Sequence, residues 1–292
     1  MESSNSLKKE LLSLMRQYSF YPRHNLGQNF LVDKKVFDCI IRQLSLGKED
    51  AVVEIGMGPG LISRELAQRA GMYLGCEIDH RFKDFHAELF SNLDINAHFI
   101  YEDALKIDFS LYRERLAHYD RLLIFSNLPY YITTELILKM IRSFPQAEQM
   151  LLMVEKAALN RVLARPGTKA YGPLSIVSSL WGEWEKVMTV SGHSFEPTPR
   201  TTSSLYSLMA RPDSQFKKTA SIPAFQEFAA AVLRNRRKTL ANSLMYTEIQ
   251  EDHVIKKVLS SFLKSEKIKV GIRAESLTAQ QFAKLYWLLV KV

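Results

Sequence analysis

The chain has 292 residues, with 39 Lys and Arg against 31 Asp and Glu, a formal charge of +8. Only 12 Gly, 10 Pro and 2 Cys exclude a collagen, a low-complexity disordered chain and a disulfide-stapled miniprotein. At about 150 residues per domain, the length fits one large domain or a large one with a small companion.

Residues 1–20, MESSNSLKKELLSLMRQYSF, scatter leucines among charges and predict a short amphipathic helix rather than a signal peptide. From residue 50, short apolar strands alternate with amphipathic helices. AVVEIG (51–56) predicts a strand ending in glycines, LISRELAQRA (61–70) a helix, and MYLGCEID (72–79) a second strand. RFKDFHAELFSNL reads as helix, HFIYEDAL (98–105) as a third strand and RLLIFSNL (121–128) as a fourth. TTELILKMIRSF is helical again. Continuous apolar strands separated by helices predict an α/β fold, with a parallel sheet covered on both faces.

After QMLLMVEK (149–156) the order changes, and EKVMTVSG and SSLYSLMAR predict two strands as an antiparallel pair. RPDSQFKKTASIP (211–223) has the composition of a linker, and residues 224–292 carry apolar side chains at helical spacing. The expected division is therefore an α/β domain over 1–211, opened by a helical segment within 1–50, and a small all-helical domain over 212–292.

The charge is uneven. After position 211 lie 14 basic and 7 acidic residues, leaving 25 and 24 before it. The densest part is Arg234-Asn235-Arg236-Arg237-Lys238, within a helical pattern. Such a run reads equally as a solvated helix face or as a footprint for a polyanion; the rest of the chain must decide. Cys39 and Cys76 lack CxxC spacing and are expected as buried thiols rather than a bridge or metal ligands, which fits a reducing compartment. No apolar run approaches the roughly 18 residues of a membrane span, so a cytoplasmic protein with no membrane contact is expected.

Two features carry chemistry. Glu54-Ile55-Gly56-Met57-Gly58-Pro59-Gly60 closes the first strand and opens a helix, offering glycine backbone and a helix N-terminus to a polar ligand. Leu61 stands where the dinucleotide fingerprint GxGxxG needs glycine, and no GxxxxGK[ST] run exists. Glu77 ends the second strand, placed to accept hydrogen bonds from both hydroxyls of a ribose. Asp103, at the end of the third strand, is placed to accept from an adenine amine. Either acid alone reads equally as a helix cap or surface charge. Together, after a glycine turn, they describe an adenosine-shaped pocket, an arrangement found in S-adenosylmethionine-dependent methyltransferases.

Ser126-Asn127-Leu128-Pro129-Tyr130 follows the fourth strand. Asn127 can accept one N–H of a planar amine while a nearby backbone carbonyl, freed from a helix ladder by Pro129, accepts the other. Tyr130 offers a face on which a base can stack; the plainer reading is a turn closing the strand, with Tyr130 in the core. An amine on an aromatic ring is a poor nucleophile. Two acceptors that draw its hydrogens out of plane lower the barrier by positioning and electrostatics, without a strong general base.

These segments, with Leu26-Gly27-Gln28-Asn29-Phe30-Leu31, Lys169-Ala170-Tyr171-Gly172-Pro173, Phe195-Glu196-Pro197-Thr198-Pro199, Arg236-Arg237-Lys238-Thr239-Leu240 and Arg273-Ala274-Glu275-Ser276-Leu277-Thr278, carry a resemblance. The chain resembles the small-subunit ribosomal RNA adenine N6-dimethyltransferases over nearly its whole length. The resemblance implies a Rossmann-like class I methyltransferase sheet, mostly parallel with an antiparallel strand at the end, and a C-terminal helical domain that binds RNA. It implies S-adenosylmethionine as methyl donor and no metal. Asn29 and Leu31 would line the methionine end of the cofactor, with Gln28 nearby. Gly56 and Gly58 would meet it by backbone, Glu77 would hold the ribose, Ile78 would pack on the adenine, and Asp103 with Ala104 would flank it. Asn127 would serve both cofactor and target amine, with Leu128 and Pro129 completing the turn. Tyr130 and Phe195 would enclose the extruded adenine. Arg234, Arg236, Arg237 and Lys238 would contact RNA.

Four positions depart from the family pattern: Ser126 replaces a glycine, Tyr131 an asparagine and Ser63 a threonine, and Arg23-His24-Asn25 replaces a more basic run. The activity implied is dimethylation of two adjacent adenines in a hairpin loop near the 3′ end of small-subunit rRNA, by a monomer acting on an assembling 30S-type particle. Two alternatives remain at this point. One is a large-subunit rRNA adenine methyltransferase that confers antibiotic resistance. The other is a non-catalytic assembly or transcription factor on the same fold, which should show a damaged glycine turn or tetrapeptide.

Overall fold

The computed structural model describes residues 2–129, 131–199, 201–212, 222–247 and 249–291, without the side chains of residues 2–5 and His24. By packing, the chain forms two units. The first comprises residues 1–139, 146–158 and 184–210; the second comprises 140–145, 159–183 and 211–292.

The first unit opens with α1 (Glu2–Gln17), the short β1 (Phe30–Leu31) and α2 (Lys34–Leu44). Helix α2 starts where the Asp33 carboxylate accepts from Lys35 N–H, and it buries Val36, Ile40 and Leu44 at helical spacing. Then come β2 (Asp50–Ile55), α3 (Leu61–Arg69), β3 (Met72–Glu77), α4 (Lys83–Phe90) and β4 (Ala97–Tyr101). They are followed by α5 (Arg113–Leu116), β5 (Arg121–Asn127), α6 (Thr133–Ser143), β6 (Gln149–Glu155) and α7 (Lys156–Val162). Every residue of β2 and β3 is buried, as their mostly apolar runs require of a sheet covered on both faces, and the burial takes in the acids Asp50, Glu54 and Glu77.

Seven strands form one sheet in the order β4-β3-β2-β5-β6-β9-β7, where β7 spans Gly182–Val190 and β9 Ser203–Ala210. From β4 to β6 neighbouring strands are parallel, whereas β9 runs antiparallel to β6. The α/β class and the mostly parallel sheet expected from the sequence are therefore present. The two late strands are neighbours as expected, with β9 entering beside β6 and β7 lying outermost. Exposed Glu183, Glu185 and Lys186 keep that edge from pairing with another strand.

The third strand stops at Tyr101, short of the expected 98–105; Asp103 instead opens a turn, its Oδ1 accepting from Leu105 N–H at 3.0 Å. A small sheet has no counterpart in the sequence reading: β1 pairs antiparallel with β8 (Phe195–Glu196), setting Leu31 opposite Phe195.

The chain runs from β2 outward to β4, then crosses back to β5 on the other side of β2. This reversal opens a crevice at the carboxyl ends of the central strands. The register sets Ile55 opposite both Cys76 and Ser126, so the segments after β2, β3 and β5 emerge together at that crevice.

The second unit contains α8 (Pro173–Trp181), α9 (Ile222–Leu233), α10 (Leu240–Leu244), α11 (Asp252–Ser265) and α12 (Ala279–Val290). It takes in residues 159–183 as well as the expected 212–292, because α8 packs on α9 and α12. Most of the expected linker, residues 213–221, lies outside the described residues. The basic run 234–238 is a turn between α9 and α10, a correction to the helical pattern read there: α9 ends at Leu233 and Thr239 caps the next helix.

Candidate active site

A cleft of about 680 Å³, open to solvent, lies at the crevice. It gathers nearly all the expected cofactor residues: Gln28, Asn29, Gly56, Gly58, Glu77, Ile78, Asp103, Ala104 and Asn127 line it. Leu31 does not. It lines a smaller neighbouring cavity of about 480 Å³ that shares Phe30, Gly56, Gly58 and Asn127 with the first.

The glycine turn is built for close approach. Gly56, Gly58 and Gly60 all hold positive φ, at 83°, 53° and 77°. At Gly58 a Cβ would also press to 3.1 Å against the Phe30 ring, so a side chain there would strain the backbone and crowd that ring. The Gly58 N–H donates to Glu77 Oε2 at 2.7 Å, and the Asp79 N–H donates to Oε1 at 2.9 Å. Each carboxylate oxygen keeps a further lone pair for the cleft. Glu77 is 5% exposed, and burial raises its pKa above the ordinary carboxylate value.

The loop carrying Gln28 is tethered from both sides. Gln28 Oε1 accepts from Arg23 N–H at 2.7 Å, and its Nε2 donates to Asp79 Oδ2 at 2.8 Å. Burial works to raise the Asp79 carboxyl, but hydrogen bonds from Arg81 and Gln28 outweigh it and bring the pKa down to about 2. Gln28 thus reaches the cleft as part of a strut running Arg23–Gln28–Asp79–Arg81.

At the end of β5, Asn127 Nδ2 donates to the Asn29 carbonyl at 3.0 Å. Since only the amino end can donate to a carbonyl, Oδ1 is the acceptor end of the carboxamide. Pro129 lines the cleft, and its carbonyl accepts from Ile132 N–H and Thr133 Oγ1. Leu128 is buried, its N–H bonded to the Met153 carbonyl at 3.2 Å. Tyr130 lies outside the described residues. Phe195 does not reach the cleft wall. At 1% exposure, it packs in a core cluster with Val36, Ile40 and Leu44, held there by the pairing of β8 with β1.

Glu54 and His86 were missed in the sequence, whereas Tyr131 was visible there as a departure from the family pattern. Tyr131, 54% exposed, stands on the cleft rim beside Pro129 and Ile132. Burial, then the charges of Asp103 and Glu77, raises its pKa. Glu54 lies fully inside the sheet and accepts from the Tyr73 hydroxyl at 2.6 Å. Burial is the largest influence on it and lifts its pKa to about 8. The acid inside VVEI was a visible signal; its partner was not. Tyr73 reaches Glu54 by lying over Gly75, where a Cβ would fall 2.6 Å from the ring and 2.3 Å from Met57 Sδ. His86, which backs the glycine turn, carried no sequence signal.

Both cysteines are free thiols; Cys76 is buried and Cys39 half-buried. Among the described residues, no cluster of three His, Cys, Asp or Glu could hold a metal ion, and no helix is long and apolar enough to cross a membrane.

The four expected RNA-contacting cations divide into two kinds. Arg234 and Arg237 are exposed. Arg236 is consumed internally: Nε pairs with Glu275 at 2.5 Å, one terminal nitrogen donates to the carbonyls of Lys169 and Tyr171, and the other to that of Thr168. Lys238 donates to the Tyr246 hydroxyl and lies 4.0 Å from the centre of that ring.

Comparison with known proteins agrees with this geometry. The profile of a family described as ribosomal RNA adenine dimethylase matches residues 20–290. The chain is 32% identical to ribosomal RNA small subunit methyltransferase A of Natranaerobius thermophilus, over 95% of each chain. It is 34% identical to the protein of that name from Staphylococcus epidermidis, over 94% of this chain and 92% of the other. Among solved structures, a dimethyladenosine transferase from Plasmodium falciparum matches with a TM-score of 0.67 at 23% identity, covering 88% of this chain and 95% of that one. The 23S rRNA methyltransferase ErmE matches with a TM-score of 0.58 at 22% identity, covering 89% and 99%. At those identities the two structures speak for the fold alone.

Proposed function

The chain belongs to the ribosomal RNA adenine dimethylase family, and from that premise we propose that it dimethylates N6 of two adjacent adenines in a hairpin loop of small-subunit rRNA, near the 3′ end. The observation that carries the reading is the convergence of Glu77 and Asn127 on one cleft at the sheet's switch point. The small-subunit target is favoured over the large subunit by curated relatives that match nearly end to end. The intact glycine turn and Asn127-Leu128-Pro129 segment argue against a factor that has lost activity.

The cleft suits S-adenosylmethionine. Glu77 presents two carboxylate oxygens, each with a lone pair left for a vicinal diol. Gly56 and Gly58 leave no Cβ in the way, and Ile78, 41% exposed, offers an apolar face for a base. When bound, S-adenosylmethionine supplies an electrophilic methyl group on a sulfonium.

The protein's own part is positional. Asn127 Oδ1 accepts one hydrogen of the target amine, and the Leu128 carbonyl accepts the other. So held, the amine's lone pair would be turned out of the ring plane and free to take a methyl group from the sulfonium, with the displaced amine proton leaving to solvent. Loop bases can enter without a duplex being opened, and aromatic faces replace the stacking they lose. Tyr130 is the proposed stacking partner; Phe195, buried where β8 pairs with β1, does not line the cleft. Of the four cations in the run, Arg234 and Arg237 are the exposed ones and would meet rRNA phosphates. The partner proposed is an assembling 30S-type particle, met in the cytoplasm by a monomeric enzyme.

Labelled methyl transfer to undermethylated small subunits, large subunits and naked rRNA tests this reading. Label confined to small-subunit adenines is expected. Label on large subunits would favour the resistance-type activity, and none anywhere would leave a binding factor.

A further inference from the structure

Behind the glycine turn lies a polar ring that the chemistry above does not use. His86, on α4, is 1% exposed and enclosed by aromatic rings: Phe82 stacks on it at 12° and Tyr101 at 29°, with Phe90 and Phe99 nearby. Both its nitrogens are engaged. Nε2 lies 2.8 Å from the Gly58 carbonyl and Nδ1 lies 2.9 Å from the Tyr101 hydroxyl. A carbonyl can only accept, so Nε2 carries the proton and the neutral ring accepts from Tyr101 at Nδ1. Burial favours the neutral state, lowering the His86 pKa to about 4.

The partners close on one another. Gly58, held by His86 at its carbonyl, donates its own N–H to Glu77 Oε2. Glu77 in turn sits opposite Tyr101 in the register of β3 and β4. The circuit runs Tyr101 to His86 to Gly58 to Glu77 and back across the sheet. Gly58 holds a left-handed backbone, and two adjacent peptide groups are pinned on opposite sides of it. Helix α4 allows little slack, since a Cβ on Gly60 would lie 2.8 Å from Leu89 and 3.3 Å from His86.

We propose that His86 is a positioning residue of the cofactor pocket, fixing Gly58 so that its N–H holds the Glu77 carboxylate in the orientation that receives the ribose hydroxyls. The inference rests on the assignment of Glu77 to the ribose of S-adenosylmethionine. Without His86 the Gly58 carbonyl loses its donor, the turn gains freedom, and Glu77 loses its alignment.

Calorimetric binding of S-adenosylhomocysteine to the full chain tests this. His86→Leu keeps an apolar side chain on α4 but removes the donor; it should bind about tenfold more weakly, the size of one buried hydrogen bond. His86→Gln restores an N–H at similar reach and should return to within about threefold of wild type. Tyr101→Phe keeps the ring stack and removes only the hydroxyl, and should lose affinity by a smaller factor. Nitrogen NMR of the imidazole should show the neutral Nε2–H tautomer at pH 7. Wild-type affinity in His86→Leu, or a His86→Gln protein as weak as His86→Leu, would overturn the proposal. If His86→Leu does not fold, unchanged affinity in Tyr101→Phe would overturn it instead. A wild-type chain that binds no cofactor would overturn the cofactor assignment itself, a separate result.

Discussion

Asn127 donates from its carboxamide nitrogen to the backbone carbonyl of Asn29, 98 residues earlier in the chain, at 3.0 Å. The bond joins the end of β5 to the loop before β1 and settles which end of Asn127 can act as an acceptor.

Removing the carboxamide therefore removes the proposed acceptor for the target amine together with the bond to Asn29. Asn127→Ala should lose at least about a hundredfold in kcat, the scale on which single positioned hydrogen-bonding groups contribute. The fold should persist, because Asn127 lies at a strand end and is only half-buried. Steady-state methyl transfer beside a thermal melt checks both statements.

Glu77→Ala should weaken cofactor binding by about ten- to a hundredfold, since hydrogen bonds to a charged group are worth roughly 1.5–3 kcal/mol. The substitution also strands the N–H groups of Gly58 and Asp79, which donate to that carboxylate. Titration calorimetry reads the loss directly, and unchanged affinity would remove Glu77 from the pocket.

Arg236 and its neighbours should separate cleanly. Arg236→Ala strips the partner from half-buried Glu275 and the donors from three backbone carbonyls. A stability loss of about 1–3 kcal/mol is expected, with any loss of RNA affinity secondary to it. Arg234→Glu with Arg237→Glu should leave the melting temperature nearly unchanged. That pair should weaken particle binding and flatten its salt dependence, because fewer phosphates are neutralised. Chemical denaturation and filter binding across a salt series distinguish the two outcomes.

Glu54 gives the protein a pH signature. Its folded-state pKa, near 8, exceeds the ordinary value of 4.5, so between those limits the native state binds the extra proton. Stability from this group is present below about pH 4.5 and declines as pH rises through 8. Glu54→Gln keeps an acceptor for the Tyr73 hydroxyl without a charge to bury. Its advantage over wild type should be larger at pH 8 than at pH 5 by about 3–4 kcal/mol, the amount a shift of that size carries. A melting-temperature difference that failed to grow between those pH values would contradict the assignment.

The fold was legible wherever burial on both faces writes itself as a mostly apolar run without alternation, as in β2 and β3. Glu77 and Asn127 were legible too, as polar residues where such runs stop at the sheet edge that opens the crevice. Phe195 by itself reads as a core residue before a proline-rich turn, which is where the structure buries it; only the family resemblance carried it into the site, and the two-residue strand that pairs it with Leu31 leaves no periodic trace. Arg236 looked like its neighbours in a run of cations. Only the fold brings three carbonyls from residues 168–171 and Glu275 to its guanidinium. His86 reads as one more polar residue on an amphipathic helix until α4 packs against the glycine turn.

The most direct measurement is nucleoside mapping of undermethylated small subunits after incubation with S-adenosylmethionine and either the wild-type chain or Asn127→Ala. N6,N6-Dimethyladenosine is expected at two adjacent positions in a loop near the 3′ end of the rRNA with wild type, and none with the variant. Dimethyladenosine formed equally by the variant, or no methylated adenine with wild type, would contradict the proposed function.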